Sequence, residues 1–162
     1  MNFFPPELLA QAEMAVAYGR AHHLTLTTAE SCTGGLIAAL ITEIPGSSEV
    51  FARGFITYAN AAKTELLGVP ATLIAAHGAV SEAVARAMAE GARRNARADI
   101  ALAATGIAGP GGGTPEKPVG LVHLACAREG VTLHTRHHFT GDRNAVRLQA
   151  ALAALRLVTV AG

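Results

Sequence analysis

Residues 100–105, Ile-Ala-Leu-Ala-Ala-Thr, form a run that is apolar almost throughout, and no other feature narrows the fold as far. Such a run is typical of a strand buried on both faces, which requires helices above and below its sheet. The flanking sequence supplies them. Residues 81–94 read as an amphipathic helix, with Val84 and Met88 turned inward and Glu82, Arg86 and Arg93 in water. Residues 6–22 read as a helix started by Pro5-Pro6, with Leu8, Leu9, Ala12 and Val16 on one stripe. Asp142 caps a last helix that carries Leu148, Leu152 and Leu155. Shorter helices are expected over 36–44, capped by Ser31 or Thr33, and over 60–67, capped by Asn60 and ended by Gly68 and Pro70. Strand patterns occupy 24–28 and 50–58. A further pair, 119–127 and 131–139, is joined by a tight turn at Glu129-Gly130.

Interleaved helices and strands, followed by two adjacent strands, predict an α/β fold: a three-layer α/β/α sandwich with a mixed sheet. The 162 residues are enough for one domain with a substantial core. No repeat or linker divides them, so a single domain over 1–162 is expected. The stretch 106–118, rich in glycine and proline, is too short to separate domains. It reads as a ligand-facing loop at a strand end.

Composition excludes several classes of function. A formal net charge of +1 gives no drive toward nucleic acid or anionic lipid. No apolar run is long or pure enough for a membrane span. The start, Met1-Asn2-Phe3-Phe4-Pro5-Pro6, lacks the basic beginning and apolar centre of a signal peptide. Cys32 and Cys126 stand alone, without metal-ligand or redox spacing, so a reducing cytoplasm is expected. His134, His137 and His138 lack neighbouring ligands in sequence and read as surface or groove histidines, so no metal is expected. The G-x-x-x-x-G-K-[ST] pattern is missing, which argues against nucleoside triphosphatase activity.

The segment Thr28-Ala29-Glu30-Ser31-Cys32-Thr33-Gly34-Gly35 lies between an apolar strand pattern and a helix. Ser31 therefore falls on a strand-to-helix turn, at the rim of a sheet and beside the unpaired N–H groups that open a helix. A nucleophilic hydroxyl with an oxyanion hole uses that geometry, and so does a plain helix cap. Gly34 and Gly35 let the backbone or a ligand come close. A second signal is the scarcity of lysine. Of the 13 basic residues only Lys63 and Lys117 are lysine. Arginine replaces lysine wherever a solvated charge suffices, but it cannot serve as a neutral amine base. The two lysines are thus the first places to look for amine chemistry.

Six segments, in order, resemble the CinA C-terminal domain family. They are T-A-E-S-C-T-G-G at 28–35, G-F-I-T-Y-A-N-A-A-K at 54–63, H-G-A-V-S at 77–81, T-G-I-A-G-P-G-G-G at 105–113, E-K-P-V-G at 116–120 and F-T-G-D-R at 139–143. The resemblance spans nearly the whole chain. It implies hydrolysis of the carboxamide of nicotinamide mononucleotide to nicotinate mononucleotide and ammonia, by a serine–lysine mechanism without metal or cofactor, in a homo-oligomer. Longer relatives carry an N-terminal domain resembling molybdopterin-binding proteins, and its activity is not carried over to these residues. The competing expectation is a non-catalytic nucleotide-binding or regulatory module of the same family.

On that resemblance Ser31 is the nucleophile and Lys63 its base. Aspartate occurs only at Asp99 and Asp142, neither placed for a Ser-His-Asp arrangement. Ser31 and Lys63 do not have S-x-x-K spacing, so folding must bring them together. Tyr58 is expected to relay a proton or hold the amine, or else to be an ordinary strand tyrosine. Main-chain N–H groups near Cys32, Thr33, Gly34 and Gly35 are the expected oxyanion donors. The Cys32 side chain is assigned to packing. Glu30 is expected to orient substrate or position Lys63. Thr105, Gly106 and Gly109 belong to a loop expected to close over the ligand, and Lys117 to support that loop or meet the substrate. Arg143, with Gly141 and Asp142 at the start of the last helix, is the candidate phosphate site, against the plainer reading of a cap and a surface arginine.

Overall fold

The computed structural model describes residues 3–160. In chain order it contains α1 (Pro6–His22), β1 (Leu26–Glu30), α2 (Leu36–Thr42), a 3-10 turn (Ser47–Glu49), β2 (Phe55–Ile56), α3 (Asn60–Leu67), α4 (Ala71–His77), α5 (Glu82–Ala96), β3 (Ile100–Gly106), β4 (Leu121–Arg128), β5 (Val131–His138) and α6 (Arg143–Val160). The sheet order is β2-β1-β3-β4-β5, with β1 parallel to β2 and β3, and β4 antiparallel to both β3 and β5. This is the α/β/α sandwich with a mixed sheet.

The two sheet faces are built from residues of different size. Ile100, Leu102, Val122, Leu124 and Cys126 point to the layer of α1, α2 and α6. Ala29, Ala101, Ala103, Ala125 and Ala127 point to the other side, where α5 lays Val84, Ala85, Met88, Ala89 and Ala92 against them. Small side chains on both surfaces let α5 sit close to the sheet. The same economy recurs between α5 and α3, where a Cβ at Gly91 would run into the Leu67 carbonyl. Ser81 caps α5 by accepting from the Val84 N–H at 3.3 Å, and Asp142 caps α6 by accepting from the Ala145 N–H at 2.8 Å.

Several boundaries differ from the sequence reading. The strand expected over 50–58 shrinks to Phe55–Ile56, with Phe51 bridging Leu26. Between them, the Arg53 carbonyl accepts from the Thr27 hydroxyl, and Gly54 leaves room that the Thr28 hydroxyl needs. The first strand begins at Leu26 and extends to Glu30, which carries the motif's threonine, alanine and glutamate into the sheet. Helix α2 stops at Thr42, short of Ile44, because a residue before proline disfavours helical backbone. Neither Ser31 nor Thr33 caps it, for Gly35 is its N-cap. Asn60 is the first residue of α3, and Ala59 takes the cap position. Helix α4, started by Pro70, has no counterpart in the sequence reading. Among the described residues no helix is long and apolar enough to cross a membrane.

Candidate active site

β1 lies between β2 and β3, and the chain leaves it over one face of the sheet and returns over the other. The C-terminal ends of these parallel strands therefore open a crevice at a topological switch point. Ser31 follows β1 directly. Its N–H donates to the Ala104 carbonyl at 2.9 Å, and the Thr57 N–H donates to the Glu30 carbonyl at 2.8 Å. These bonds fix the nucleophile candidate between its two neighbouring strands. A cleft of about 280 Å³ opens there, with Ser31, Cys32, Tyr58, Lys63, Thr105, Gly106, Gly109 and Arg143 in its wall.

Lys63 enters from the first turn of α3. It is 1% exposed, the largest side chain so fully buried. Its Nζ lies 3.2 Å from Ser31 Oγ, 2.7 Å from the Thr57 carbonyl and 3.4 Å from the Tyr58 carbonyl. A neutral amine has two N–H donors and one lone pair. In that form the two carbonyls take the donors and leave the lone pair for the serine hydroxyl; in the charged form the third N–H donates to Ser31 Oγ. Burial holds the Lys63 pKa below its ordinary 10.5, since removing the amine from water disfavours the charged form. Ser31 itself is 9% exposed.

The turn after Ser31 is held from two sides. Glu30, fully buried, accepts from the N–H groups of Ile37 at 2.7 Å and Ala38 at 3.1 Å. It supplies the acceptor that no cap side chain gives α2. Burial raises its pKa above 4.5, with those amides pulling the other way. Glu30 therefore neither meets substrate nor positions Lys63, because its carboxylate is turned to α2. On the other side Arg147 of α6 donates from Nε to the Cys32 carbonyl at 3.1 Å and from Nη2 to the Thr33 carbonyl at 3.0 Å.

Thr33, Gly34 and Gly35 do not line the cleft; they shape the turn. Gly34 and Gly35 have φ of 59° and 100°, in the left-handed region that suits glycine. Gly34 also spends its N–H on the Ser31 carbonyl at 3.0 Å, so of the expected oxyanion donors Cys32 is the one at the cleft. Burial pushes the Cys32 thiol up to about 12, which leaves it protonated and unreactive beside Ser31.

Tyr58 is 62% exposed, and its phenol oxygen accepts from Arg143 Nη2 at 3.0 Å. Its backbone carbonyl, not its phenol, reaches the lysine amine at 3.4 Å, so the phenol is bonded to Arg143 rather than clamping Lys63. Arg143 also donates from Nη1 to the Gly109 carbonyl at 2.8 Å. It stands in the wall shared with an adjoining cavity of about 460 Å³. Thr105 is buried, and its hydroxyl donates to the Ala79 carbonyl at 2.8 Å. Lys117 does not line the cleft; its Nζ donates to the His77 carbonyl at 2.7 Å, tying the 107–118 loop to the end of α4. That selects loop support over substrate contact.

Sequence reasoning missed Asn60, Ala79 and Val80 in the wall, and Arg147 behind it. Arg147 had one available signal, its place one helical turn after Arg143. His134 does have a carboxylate nearby, with Nδ1 3.6 Å from Glu82, while its Nε2 is 2.9 Å from His123 Nδ1. Among the described residues, no group of three His, Cys, Asp or Glu side chains is arranged to hold a metal.

The family profile of the CinA C-terminal domain matches residues 9–161. The chain belongs to that family. A CinA-like protein of Anaeromyxobacter sp. (strain K) is 55% identical over 149 residues, covering 92% of this chain and 36% of the relative. One from Citrifermentans bemidjiense is 60% identical over 132 residues, covering 82% and 32%. The chain thus spans about a third of the length of these curated CinA relatives. The crystal structure of the competence/damage inducible protein CihA from Agrobacterium tumefaciens has a TM-score of 0.95 at 48% identity, covering 98% of this chain and 97% of that one. A CinA superfamily protein from Escherichia coli has a TM-score of 0.90 at 34% identity, covering 96% and 91%.

Proposed function

We propose that this CinA-family chain is an amidohydrolase that converts nicotinamide mononucleotide and water to nicotinate mononucleotide and ammonia, with Ser31 as nucleophile and Lys63 as general base and acid. One observation carries the reading: a buried lysine amine held by two carbonyls with a serine hydroxyl 3.2 Å away, so that in the neutral amine both N–H donors are taken and the lone pair is left for the hydroxyl. The choice of substrate rests on the family resemblance, and a cleft with an arginine in its wall suits an anionic nucleotide.

In the first step Lys63 takes the Ser31 proton as Oγ attacks the carboxamide carbon. The Ser31 and Ile107 N–H groups are bound to the Ala104 and Leu121 carbonyls. The Cys32 N–H, which donates to no main-chain carbonyl among the described residues and belongs to a residue of the cleft wall, is the proposed donor to the developing oxyanion. Such a donor contributes about 3–4 kcal/mol in comparable sites. Collapse of the tetrahedral adduct breaks the C–N bond, and the nitrogen leaves as ammonia with the proton Lys63 carried. Water then attacks the Ser31 ester and gives its proton to Lys63, and the serine oxygen recovers that proton as the acid departs. Arg143, fixed by Tyr58 and Gly109, is the proposed partner of the phosphate.

The test is ammonia release from nicotinamide mononucleotide, free nicotinamide and the dinucleotide, by the wild type and Ser31→Ala. Release from the mononucleotide that is lost in folded Ser31→Ala is expected. Full activity in that variant removes Ser31 from the mechanism, and intact ligand binding without turnover in the wild type makes the chain a binding module.

A further inference from the structure

We propose that Arg147 is a positioning residue that holds the nucleophile turn so that the Cys32 amide keeps its direction toward the cleft; this rests on the serine–lysine reading above. The Cys32 and Thr33 carbonyls follow the nucleophile in a segment with no strand partner, and Arg147 donates to both, at 3.1 and 3.0 Å, sharing the Thr33 carbonyl with the Leu36 N–H at 3.1 Å. Peptide planes are rigid, and in a trans peptide the N–H points opposite the preceding carbonyl. The cis bond among the described residues is Gly109–Pro110, so every peptide of the turn is trans.

Two consequences follow. Holding the Cys32 carbonyl fixes the direction of the Thr33 N–H. Holding the Thr33 carbonyl fixes the plane that carries the Gly34 N–H, which donates to the Ser31 carbonyl at 3.0 Å. That bond in turn sets the plane carrying the Cys32 N–H. Among the described residues the amides of Cys32 and Thr33 donate to no main-chain carbonyl, although both residues are buried. A buried N–H held without a partner costs free energy unless something comes to accept from it. The positive charge on the carbonyl side also polarises these peptides, strengthening their N–H groups as donors. Its reach is visible at Cys32, where Arg147 acts to lower a thiol pKa that burial dominates.

Glu30 completes the frame from the opposite end. It anchors the start of α2, so the turn is held at both its strand side and its helix side. Arg147 also lines the adjoining cavity, and a direct phosphate contact is the rival reading that the experiment must separate.

The experiment compares wild type, Arg147→Met, Arg147→Lys and Arg147→Ala. The expected result for Arg147→Met is a kcat for ammonia release lower by about 10- to 100-fold, part of what a lost oxyanion donor costs, with KM within about threefold. Affinity for pyridine-3-boronic acid, which forms a tetrahedral adduct on Ser31, falls in parallel. Affinity for nicotinate mononucleotide stays. Guanidinium ion added to Arg147→Ala restores rate in a saturable way, an effect that a merely destabilised protein does not give.

If Arg147→Met does not fold, Arg147→Lys and the guanidinium rescue decide, and a Lys variant with wild-type kcat together with no rescue overturns the proposal. A raised KM with unchanged kcat, or equal loss of boronate and product affinity, also overturns it and makes Arg147 a substrate contact. Labelling of Ser31 by a fluorophosphonate separates the two readings. Arg147-dependent labelling without mononucleotide turnover sinks the substrate assignment alone. An unlabelled wild-type Ser31 sinks the serine–lysine reading and this one with it.

Discussion

Replacing Lys63 by methionine separates chemistry from stability. Methionine matches the lysine stem but carries no amine. The change removes the bonds from Nζ to the Thr57 and Tyr58 carbonyls, each worth about 0.5–1.5 kcal/mol net. It also removes a polar group from a site that is 1% exposed, and the relief of that burial offsets part of the loss. The net change is within about 2 kcal/mol, or roughly 4–8 °C in melting temperature for a domain of this size. Activity behaves differently. Loss of a general base costs about 10²- to 10⁴-fold in kcat.

The pH dependence sharpens the test. Burial lowers the Lys63 pKa in the folded chain below 10.5. The wild-type rate should therefore rise with pH as the amine loses its proton, along a limb centred below 10.5 that is absent from Lys63→Met. The sign for stability follows from the same shift. Between the folded pKa and 10.5 the unfolded chain binds more protons, so wild-type stability climbs with pH across that window. In Lys63→Met the climb disappears. Stopped assays of ammonia across pH, paired with calorimetry, read both effects. A folded Lys63→Met enzyme with more than about a tenth of wild-type kcat would refute the base assignment, as would a wild-type profile without the limb.

Three further predictions concern neighbours of that pair. Tyr58→Phe deletes the phenol bonded to Arg143 and leaves the backbone carbonyl that holds Lys63, so KM should rise by about three- to tenfold with kcat nearly unchanged; a collapse of kcat would restore the phenol to the proton path. Cys32→Ala should keep kcat within about threefold, and iodoacetamide should leave native Cys32 unmodified at neutral pH because its pKa lies at about 12; rapid alkylation with matching inactivation would contradict this. Glu30→Gln retains one acceptor oxygen for two N–H groups, one buried and one part-buried, and calorimetry should show a loss of about 1–3 kcal/mol; an unchanged melting temperature would mean that the carboxylate does not secure α2.

The layer order was legible in the residues because burial imposes periodicity. The apolar run at 100–105 required two covered faces, and β3 is buried through Thr105. The hairpin was marked by Glu129-Gly130, and Gly130 has φ of 74°. The amphipathic pattern at 81–94 became α5, displaced by a residue or two at its ends. Helix α4 escaped notice because its seven residues are too few for a periodic signal. The strand is shorter than the pattern at 50–58 because β-propensity registers apolar and aromatic content, whereas pairing there is decided by contacts with β1.

Chemical identity and rough position were set along the chain: a serine on a strand-to-helix turn, and one of two lysines in a protein that otherwise uses arginine. Partnership was decided in three dimensions. Nothing local to residues 28–35 says that Glu30 turns to α2 while its neighbour Ser31 turns to the cleft; the alternation of a strand buried on both faces does that. Nothing local to 143–147 says that one arginine reaches the loop and Tyr58 while the other, a helical turn on, reaches behind the nucleophile. Hydrogen bonds act over about 3 Å, so which groups meet depends on how distant segments pack, and that information belongs to no single stretch of sequence.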